Sequence, residues 1–267
     1  MCRVLKMPKS TYYQSFHKQP NSYHVANEQL LERIRVIHQD SKGLYGAPKI
    51  FIILQSEGYT GTINRIQRIM KKEGIQSTIT KKYRPTPTQK PVEERENVLE
   101  QDFTTTKINE KWVADITYIH TLRHGWCYLA SVLDLHTKKV IGHKFSRKMT
   151  TEIVLEALDN AVQGQQPGPG LIVHTDLGTQ YTSEAFQERL KKYEMIPSFS
   201  RKGCPYDNAV AEATFKVFKT EFANQAHFTS LEQLALELGD YVHWFNNLRL
   251  HGTLGYLTPM EYKLQPL

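Results

Sequence analysis

Residues 111–147 place the strongest constraint on how this 267-residue chain can fold. Three runs rich in strand-forming residues follow one another there, KWVADITYIHT, GWCYLASVLDLHT and KKVIGHKFSR. Only short turn-like breaks, at 123–125 and 137–139, separate them. Because consecutive strands joined by short turns pair with their neighbours, this stretch predicts an antiparallel meander.

Helical and strand patterns alternate after the meander. TTEIVLEALDNAVQG has apolar residues at helical spacing, QPGPG breaks the chain, and LIVHTD is a short apolar run typical of a buried strand. TSEAFQERLKKYEM then predicts a helix that Thr182 or Ser183 caps, and IPSFS predicts a brief strand. The next helix has Asp207 or Asn208 as its predicted N-cap. From residue 111 the chain therefore has the element order of an α/β domain.

Three carboxylates occupy unusual places in this pattern. Asp115 lies within the first strand run and Asp176 ends the fourth, each in an apolar, β-branched setting. Glu212 comes one turn into a helix, and Lys216 and Lys219 follow it at i+4 and i+7 on one face. Two hard divalent cations, about 3.5–4 Å apart and held by carboxylates, stabilise both oxygens of phosphodiester cleavage. The pattern predicts a site where metal meets phosphate, with a solvated helix face carrying one ion pair as the structural alternative.

Taken together, the blocks WVADITYI, HTDLGTQYTS and YDNAVAE, with a lysine seven residues after the glutamate, resemble a known signature. They are similar to the DDE triad of retroviral-integrase-like transposases. More narrowly, they resemble the orfB product of the two-frame insertion sequences of family three. The resemblance extends over most of the chain and includes a C-terminal block similar to YNxxRxHxxLGYxxPxEY, in which Phe245 replaces the leading Tyr.

The resemblance implies a ribonuclease-H-like (retroviral integrase superfamily) core with an N-terminal helix-turn-helix domain. It implies that Asp115, Asp176 and Glu212 are the catalytic residues and the ligands of Mg²⁺ or Mn²⁺, with two ions per site. Water would cut the end of the insertion sequence, and the freed 3′-OH would attack target DNA. In this family a ribosomal frameshift joins orfB to orfA, so the orfA product is an expected partner. Terminal repeats, target DNA and further copies of the chain on DNA are the other expected partners.

Positive charge is concentrated ahead of the first carboxylate block. The net charge is +7, and residues 1–110 hold 18 Lys and Arg against 11 Asp and Glu, whereas the remainder holds 16 of each. A basic half beside a neutral, carboxylate-bearing half suggests a nucleic-acid-binding region attached to a catalytic core, although a mildly basic soluble protein has a similar balance.

Residues 27–74 predict three short helices, over 27–40, 47–57 and from about residue 63 to Gly74, with a glycine turn between the last two. Thr62 or Asn64 is the expected cap of the third helix. Its basic residues point away from its apolar ones, which suits a helix lying against DNA, while a small helical bundle with a solvated face is the alternative. The predicted DNA-binding residues are Arg65, Arg68, Lys71 and Lys72 here, Lys81, Lys82 and Arg84 in the following segment, and Arg201, Lys202, Lys216 and Lys219 around Glu212.

Composition divides the chain into five predicted regions. They are a basic N-terminal segment (1–26), a helix-turn-helix-like domain (27–74), a basic and polar linker (75–110), the catalytic core (111–225) and a C-terminal helical extension (226–267). Secondary candidates within them carry weaker expectations. These are Asp134 as an outer carboxylate of the metal site, His174 as a packed strand histidine, Asp207 and Asn208 as caps or loop anchors, Gln180 and Tyr181 facing DNA, and Arg249 and His251 in packing, with contact of either to DNA as the alternative.

Several classes of protein are disfavoured. Cys2, Cys127 and Cys204 have neither a CxxC spacing nor an even number, so no disulfide framework or zinc module is expected. No signal peptide is evident, and no apolar run approaches the roughly 20 residues of a membrane span. A bacterial cytoplasmic, nucleoid-associated location is expected. The competing functions are a ribonuclease-H-type nuclease without strand transfer and a non-catalytic DNA-binding regulator, of which the second predicts loss of a carboxylate.

Overall fold

The computed structural model describes Pro8, residues 22–78 and residues 95–265. The chain divides into two compact units, Met1–Thr78 and Ile79–Leu267. Lys81, Lys82 and Arg84, and most of the predicted N-terminal segment, lie outside the described residues.

The first unit is built from three helices, α1 (Ser22–Asp40), α2 (Ala47–Ser56) and α3 (Ile63–Lys72). Ile34, Ile50 and Ile66, one from each helix, are fully buried and form its centre. The helices match the predicted pattern, except that α1 begins five residues earlier than position 27. Within the added turn, the Arg65 guanidinium of α3 lies over the Tyr23 ring, 5.2 Å from its centroid.

The second unit is organised around a five-stranded sheet of order β3-β2-β1-β4-β5. Its strands are β1 (Lys111–Thr121), β2 (Gly125–Asp134), β3 (Val140–Ser146), β4 (Ile172–Thr175) and β5 (Ile196–Phe199). The first three form the predicted antiparallel meander, whereas β4 and β5 run parallel to β1. The β1–β4 pairing extends only over Lys111–Val113 of β1, so most of β1 continues beyond the end of β4.

Helices cover both faces of this sheet. On one face, α4 (Thr151–Gln165) packs over Trp112 and Ala130. The approach is close at Gly142 of β3, where a Cβ would lie 2.3 Å from the carbonyl oxygen of Ala157. Two further helices, α5 (Thr179–Thr182) and α6 (Glu184–Lys192), follow β4, and Ser183 caps α6 by accepting from the Phe186 N–H.

The opposite face carries the C-terminal part of the chain. After a 3₁₀ turn at Pro205–Asn208 come α7 (Ala209–Phe218), a π-helical turn (Lys219–Ala223), α8 (Leu231–Asn247) and the short α9 (Pro259–Lys263). Phe218, Phe222 and Tyr241 pack with Ile119 of β1 in one apolar cluster. The predicted C-terminal extension therefore buries part of the sheet.

Residues 95–110 correct the predicted linker. The described part of that segment lies on the second unit, with Leu99 buried and its N–H donating to Ser198 Oγ at 3.0 Å. Lys111 Nζ also donates to Asp102 Oδ2 at 2.8 Å. The polar composition of this segment predicts a linker, but one buried leucine and these specific bonds hold it to the core. Among the helices in the described ranges, none is both long and apolar enough to cross a membrane.

Candidate active site

Neighbouring strands bring two of the predicted carboxylates together. Asp115 lies on β1, and Asp176 directly follows the last residue of β4, the strand hydrogen-bonded to β1. Burial first, and then the negative charge of Asp176, raise the pKa of Asp115 to about 7, against a hydrogen bond from the Ile116 N–H that lowers it. This electrostatic coupling places both carboxylates in one region.

The loop after Asp176 is shaped around its carboxylate. The Gly178 N–H donates to Asp176 Oδ1 at 2.9 Å, and a Cβ at position 178 would lie 2.8 Å from that same oxygen. Only glycine fits at this position without moving the carboxylate. Burial raises the pKa of Asp176, and the bond from Gly178 lowers it.

Glu212 adds a third carboxylate to this region, from helix α7. It lies in the first turn of α7 and its side chain is exposed. Although much of the residue is exposed, the protein around its carboxyl group removes part of its hydration and so raises its pKa, and its charge also raises the pKa of Asp115. The Lys219 ammonium acts on Asp115 in the opposite direction and lowers its pKa. Thus Asp115 is influenced by the charges of Asp176, Glu212 and Lys219 together.

The chemistry of these donors suits a hard divalent cation. All three are carboxylates, and each has a pKa raised from its ordinary value, so their negative charges lack full compensation. In the ranges the structure describes, no three His, Cys, Asp or Glu side chains lie close enough together to hold an ion as they stand. Binding an ion therefore requires the side chains to move closer together, and mutual repulsion opposes this until a cation is present.

Lys219 begins the π-helical turn rather than continuing α7. Its Nζ lies 4.3 Å from the centroid of the Tyr118 ring on β1, and its side chain is half-buried. Lys216, one turn earlier, is exposed. Because the chain from Glu212 to Phe218 is α-helical, the i+7 relation of Lys219 to Glu212 is kept, and the extra residue of the π turn falls after Lys219. Such turns occur frequently at functional sites.

The loop before α7 is held by a carboxylate that the sequence suggests only as a cap or loop anchor. Asp207 accepts from the Arg201 backbone N–H at 2.8 Å and from its Nε at 3.0 Å, and from Asn97 and Gln101 side chains. Burial raises the pKa of Asp207, but the bonds from Arg201 and Gln101 outweigh it and lower the value to about 2. Asn208 holds the N-cap position, one of the two predicted for it, but its side chain makes no cap bond.

The structure contradicts the predictions for two secondary candidates, Asp134 and Tyr181. Asp134 pairs across the sheet with Trp112, three positions along β1 from Asp115, and its Oδ1 accepts from the Thr137 N–H in the β2–β3 turn. It is a turn anchor rather than an outer carboxylate of the site. Tyr181 does not face DNA, because only 2% of it is exposed and its ring packs edge-on against Phe186.

Three other candidates, His174, Arg249 and His251, are buried. His174 is the predicted packed histidine, fully buried between the hydroxyl groups of Ser198 and Ser200. Arg249 and His251 are buried as well, in agreement with the predicted packing role.

The predicted DNA-binding residues fall into two groups. Arg68, Lys71 and Lys72 are exposed along α3. Arg65 is half-buried and its Nε donates to Asn27 Oδ1 at 2.9 Å, so it helps to hold the first unit together. Near Glu212, Arg201 is tied to Asp207, and the Nζ of Lys202 is buried without a hydrogen-bond partner. Arg201 is therefore paired but still 59% exposed in its side chain, whereas the Lys202 ammonium is not exposed to solvent.

Comparison with known proteins gives consistent matches along the chain. Integrase core domain models match residues 105–205 and 212–267, and an HTH-like domain model matches residues 26–83. The transposase for insertion sequence element IS904 of Lactococcus lactis is 34% identical, over 92% of this chain and 98% of that protein.

A second relative gives the same picture. Transposase InsF for insertion sequence IS3A of Escherichia coli is 33% identical, over 98% of this chain and 92% of its own. Among solved structures, a chain of the simian T-cell lymphotropic virus intasome in complex with a PP2A regulatory subunit aligns with a TM-score of 0.51 at 16% identity. That alignment covers 88% of this chain and 75% of the other, and it supports the integrase-like fold.

Proposed function

The chain belongs to the IS3-family insertion-sequence transposases with an integrase catalytic core, and from that premise we propose that Asp115, Asp176 and Glu212 form its active site. Their shared electrostatic environment, in which Asp176 and Glu212 both raise the pKa of Asp115, is the observation that carries the proposal. The reaction is divalent-metal-dependent phosphoryl transfer that cuts the ends of the insertion sequence and joins the 3′-OH to target DNA.

The three side chains have related roles in this reaction. As carboxylates, Asp115 and Asp176 bind divalent cations from adjacent strands, and Glu212 completes the ligand set from α7. We propose Mg²⁺, or Mn²⁺ in its place, with two ions per site; when bound they polarise the phosphate and stabilise the oxygens that enter and leave. Gly178 keeps the Asp176 carboxylate in a fixed orientation through its N–H. No side chain has to act as the nucleophile, since water is the nucleophile in the cleavage step and the 3′-OH is the nucleophile in the joining step.

The exposed cations of the first unit suit the same function. Arg68, Lys71 and Lys72 are exposed on the third helix of an HTH-like domain, in the region that carries the excess positive charge of the chain. We propose that these cations contact phosphates of the terminal repeats, with Lys81, Lys82 and Arg84 extending the contact, and that Lys216 and Lys219 contact DNA next to the carboxylates. Further proposed partners are target DNA, additional copies of the chain and the orfA product, at the nucleoid of a bacterial cytoplasm.

Isosteric substitution of the carboxylates tests the proposal. In a strand-transfer assay with labelled duplexes bearing the terminal sequences of the element, Asp115→Asn, Asp176→Asn and Glu212→Gln should each abolish both cleavage and joining with Mg²⁺. Binding to the same duplexes should stay within about twofold, because the cations of the first unit are unchanged. Glu188→Gln, which removes an exposed carboxylate on α6, is the matched control and should retain full activity.

Three outcomes would contradict the proposal. Near wild-type joining by any of the three variants would remove that residue from the site. Cleavage without joining by the wild-type chain would favour a ribonuclease-H-type nuclease. Binding without cleavage by the wild-type chain, at any tested concentration of Mg²⁺ or Mn²⁺, would favour a DNA-binding regulator.

A further inference from the structure

An aromatic surface lies on the β1–β2 hairpin, beyond the part of the sheet that α4 covers. It consists of Tyr118, His120 and Trp126, which we call the aromatic platform. Tyr118 is 54% exposed and Trp126 is 56% exposed, and His120 is exposed as well. Large aromatic side chains are usually well buried in soluble proteins. Two neighbouring ones that are each more than half exposed therefore indicate a surface that binds a partner.

Strand register explains why these rings meet. His120 is directly opposite Trp126 in the β1–β2 ladder, and Tyr118 lies two residues before His120 on the same face. The Trp126 ring is nearly perpendicular to both neighbours, with centroids 5.1 Å from Tyr118 and 5.1 Å from His120. These edge-to-face contacts fix the orientation of the rings while leaving much of their surface open.

A pocket adjoins the platform along the edge of β1. It has a volume of about 460 Å³, and its other walls come from the π-helical turn and the segment around Phe228. The residues that line it include Lys219 and His227 and none that is acidic. Such a surface combines flat apolar rings with positive charge, and it therefore suits a ligand that has both an aromatic face and a phosphate.

The platform is close to the candidate active site. Tyr118 is three residues from Asp115 on β1, ~10 Å along the strand at ~3.3 Å per residue, and the alternation of side chains places the two on opposite faces of the sheet, on either side of its edge. Lys219 links the two regions, because its Nζ lies 4.3 Å from the Tyr118 centroid and its charge lowers the pKa of Asp115. A DNA strand with its scissile phosphate at Asp115 would have nucleotides within about three base steps of the rings, at ~3.4 Å per step.

We propose that the aromatic platform binds an unpaired nucleobase of the DNA strand held at the active site, by stacking on the face of Trp126 with the perpendicular Tyr118 ring at the edge of the base, while Lys219 contacts the adjoining phosphate. This inference rests on the proposed function, since it assigns a binding site for the DNA on which the carboxylates act. Base–aromatic stacking tolerates any sequence and depends on exposed, fixed rings next to cations, as found here. A protein partner would more commonly bring charged groups that pair with acidic residues at the rim, and the pocket lining has none.

Tryptophan fluorescence of the full chain tests the platform with defined probes. The chain has three tryptophans, of which Trp112 is fully buried and Trp244 half-buried, so Trp126 is the one most exposed to quenching. We expect an oligothymidine strand to quench the emission and an abasic strand of equal length and charge to leave it unchanged. Trp126→Ala should weaken oligothymidine binding about tenfold, the effect of losing one stacked base, and should leave abasic-strand binding unaltered.

Two further variants separate stacking from folding. Trp126→Phe keeps a flat ring, so it should retain most of the affinity while losing the quenching signal. Leu236→Ala removes a more exposed apolar side chain, 72% exposed, on α8 and away from the pocket lining, and it should change neither. The proposal would be overturned by equal losses on oligothymidine and abasic strands, or by absence of quenching. A platform that instead joins two copies would overturn it too, and sedimentation would reveal this as self-association that Trp126→Ala abolishes.

The same experiment distinguishes this inference from the proposed function. Asp115→Asn should quench with oligothymidine as the wild type does, because it leaves the platform intact. Quenching by a wild-type chain that cannot join DNA would refute the catalytic proposal and keep the platform. Joining without quenching would refute the platform alone.

Discussion

Asp207 stays ionised although its side chain has no exposed surface, because Arg201, Asn97 and Gln101 surround it with donors. Its folded-state pKa of about 2 lies below the ordinary value of 3.8. A lowered carboxylate pKa contributes stability that is fully present above about pH 4 and is lost as the pH falls through about 2. The shift corresponds to about 2 kcal/mol.

We therefore expect Asp207→Asn to lower the free energy of unfolding by about 2 kcal/mol at neutral pH. The deficit should shrink as the pH falls from about 4 toward 2, where the wild-type carboxylate also becomes neutral. Urea unfolding across this pH range measures it, with Glu188→Gln as the exposed-carboxylate control. A deficit that is independent of pH would mean that packing rather than charge explains the role of Asp207.

Lys219 offers a second prediction at this scale. Its ammonium acts on Asp115 and lies against Tyr118, so it is well placed to hold a phosphate beside the carboxylates. Lys219→Ala should reduce strand transfer and crosslinking to the donor end by about tenfold or more, with the melting temperature unchanged. Lys219→Arg should restore much of both, since a cation is what the position needs, although its planar geometry differs. Equal activity of Lys219→Ala and wild type at physiological salt, beside a Lys191→Ala control, would refute this role.

Single residues differ in how far sequence predicts them. Asp115 and Asp176 are recognisable because carboxylates are rare in apolar strand runs, and the sheet order then explains their proximity. No such signal indicates the full role of Asp207, because its hydrogen-bond donors Asn97 and Gln101 lie more than a hundred positions away in the chain. Tyr181 misleads for a related reason: it follows a polar loop, but Phe186 of the next helix covers it.

Among the elements, the π-helical turn depends most on distant parts of the chain. Glu221 within it is buried and accepts from Arg249 Nε at 2.8 Å and from Arg249 Nη2 at 2.6 Å, and the Tyr241 hydroxyl donates to it at 3.3 Å. The pair joins the turn that begins with Lys219 to the residues after α8. Arg249 thus stabilises the position of Lys219 from a distance.

Removing one partner of this buried pair leaves an uncompensated charge, which costs about 3–5 kcal/mol. We expect Arg249→Met to lower the free energy of unfolding by that amount, and strand transfer to fall with it because the turn loosens. The double variant Glu221→Leu/Arg249→Met removes both charges and should recover most of the stability. Urea unfolding of the two variants gives the comparison, and a double variant less stable than Arg249→Met would show that the two charges do not act as a pair.

Regular elements are more predictable than their exceptions. The five strands and the longer helices follow from apolar periodicity and from turn residues, which are local properties of the sequence. The π turn and the attachment of residues 95–110 depend instead on Glu221 and Leu99 meeting partners far along the chain. A polar stretch such as residues 95–110 is predicted as a linker, because its composition does not reveal the few buried contacts that hold it to the core.

At the scale of the whole molecule, the excess positive charge and the candidate active site lie in different parts of the chain. Residues 1–110 hold the entire excess of positive charge, and the HTH-like unit lies within them. Residues 111–267, with equal numbers of positive and negative side chains, contain the candidate carboxylates. This division predicts that duplex binding and catalysis can be impaired separately, by substitutions in different units.

Salt dependence provides the test of that division. Each phosphate contact contributes ~0.9 to the slope of log K against log salt on duplex DNA, so replacing Arg68, Lys71 and Lys72 with Ala should flatten the slope by up to about 2.7. The control replaces Lys107, Lys191 and Lys192, which are exposed cations of the second unit. It changes the net charge equally and should leave the slope near that of the wild type. Equal slopes for both triple variants would mean that overall charge, rather than a phosphate-contacting face on α3, governs duplex binding. If only the first variant is affected and it still joins pre-bound ends at low salt, the first unit supplies affinity and the second supplies the chemistry.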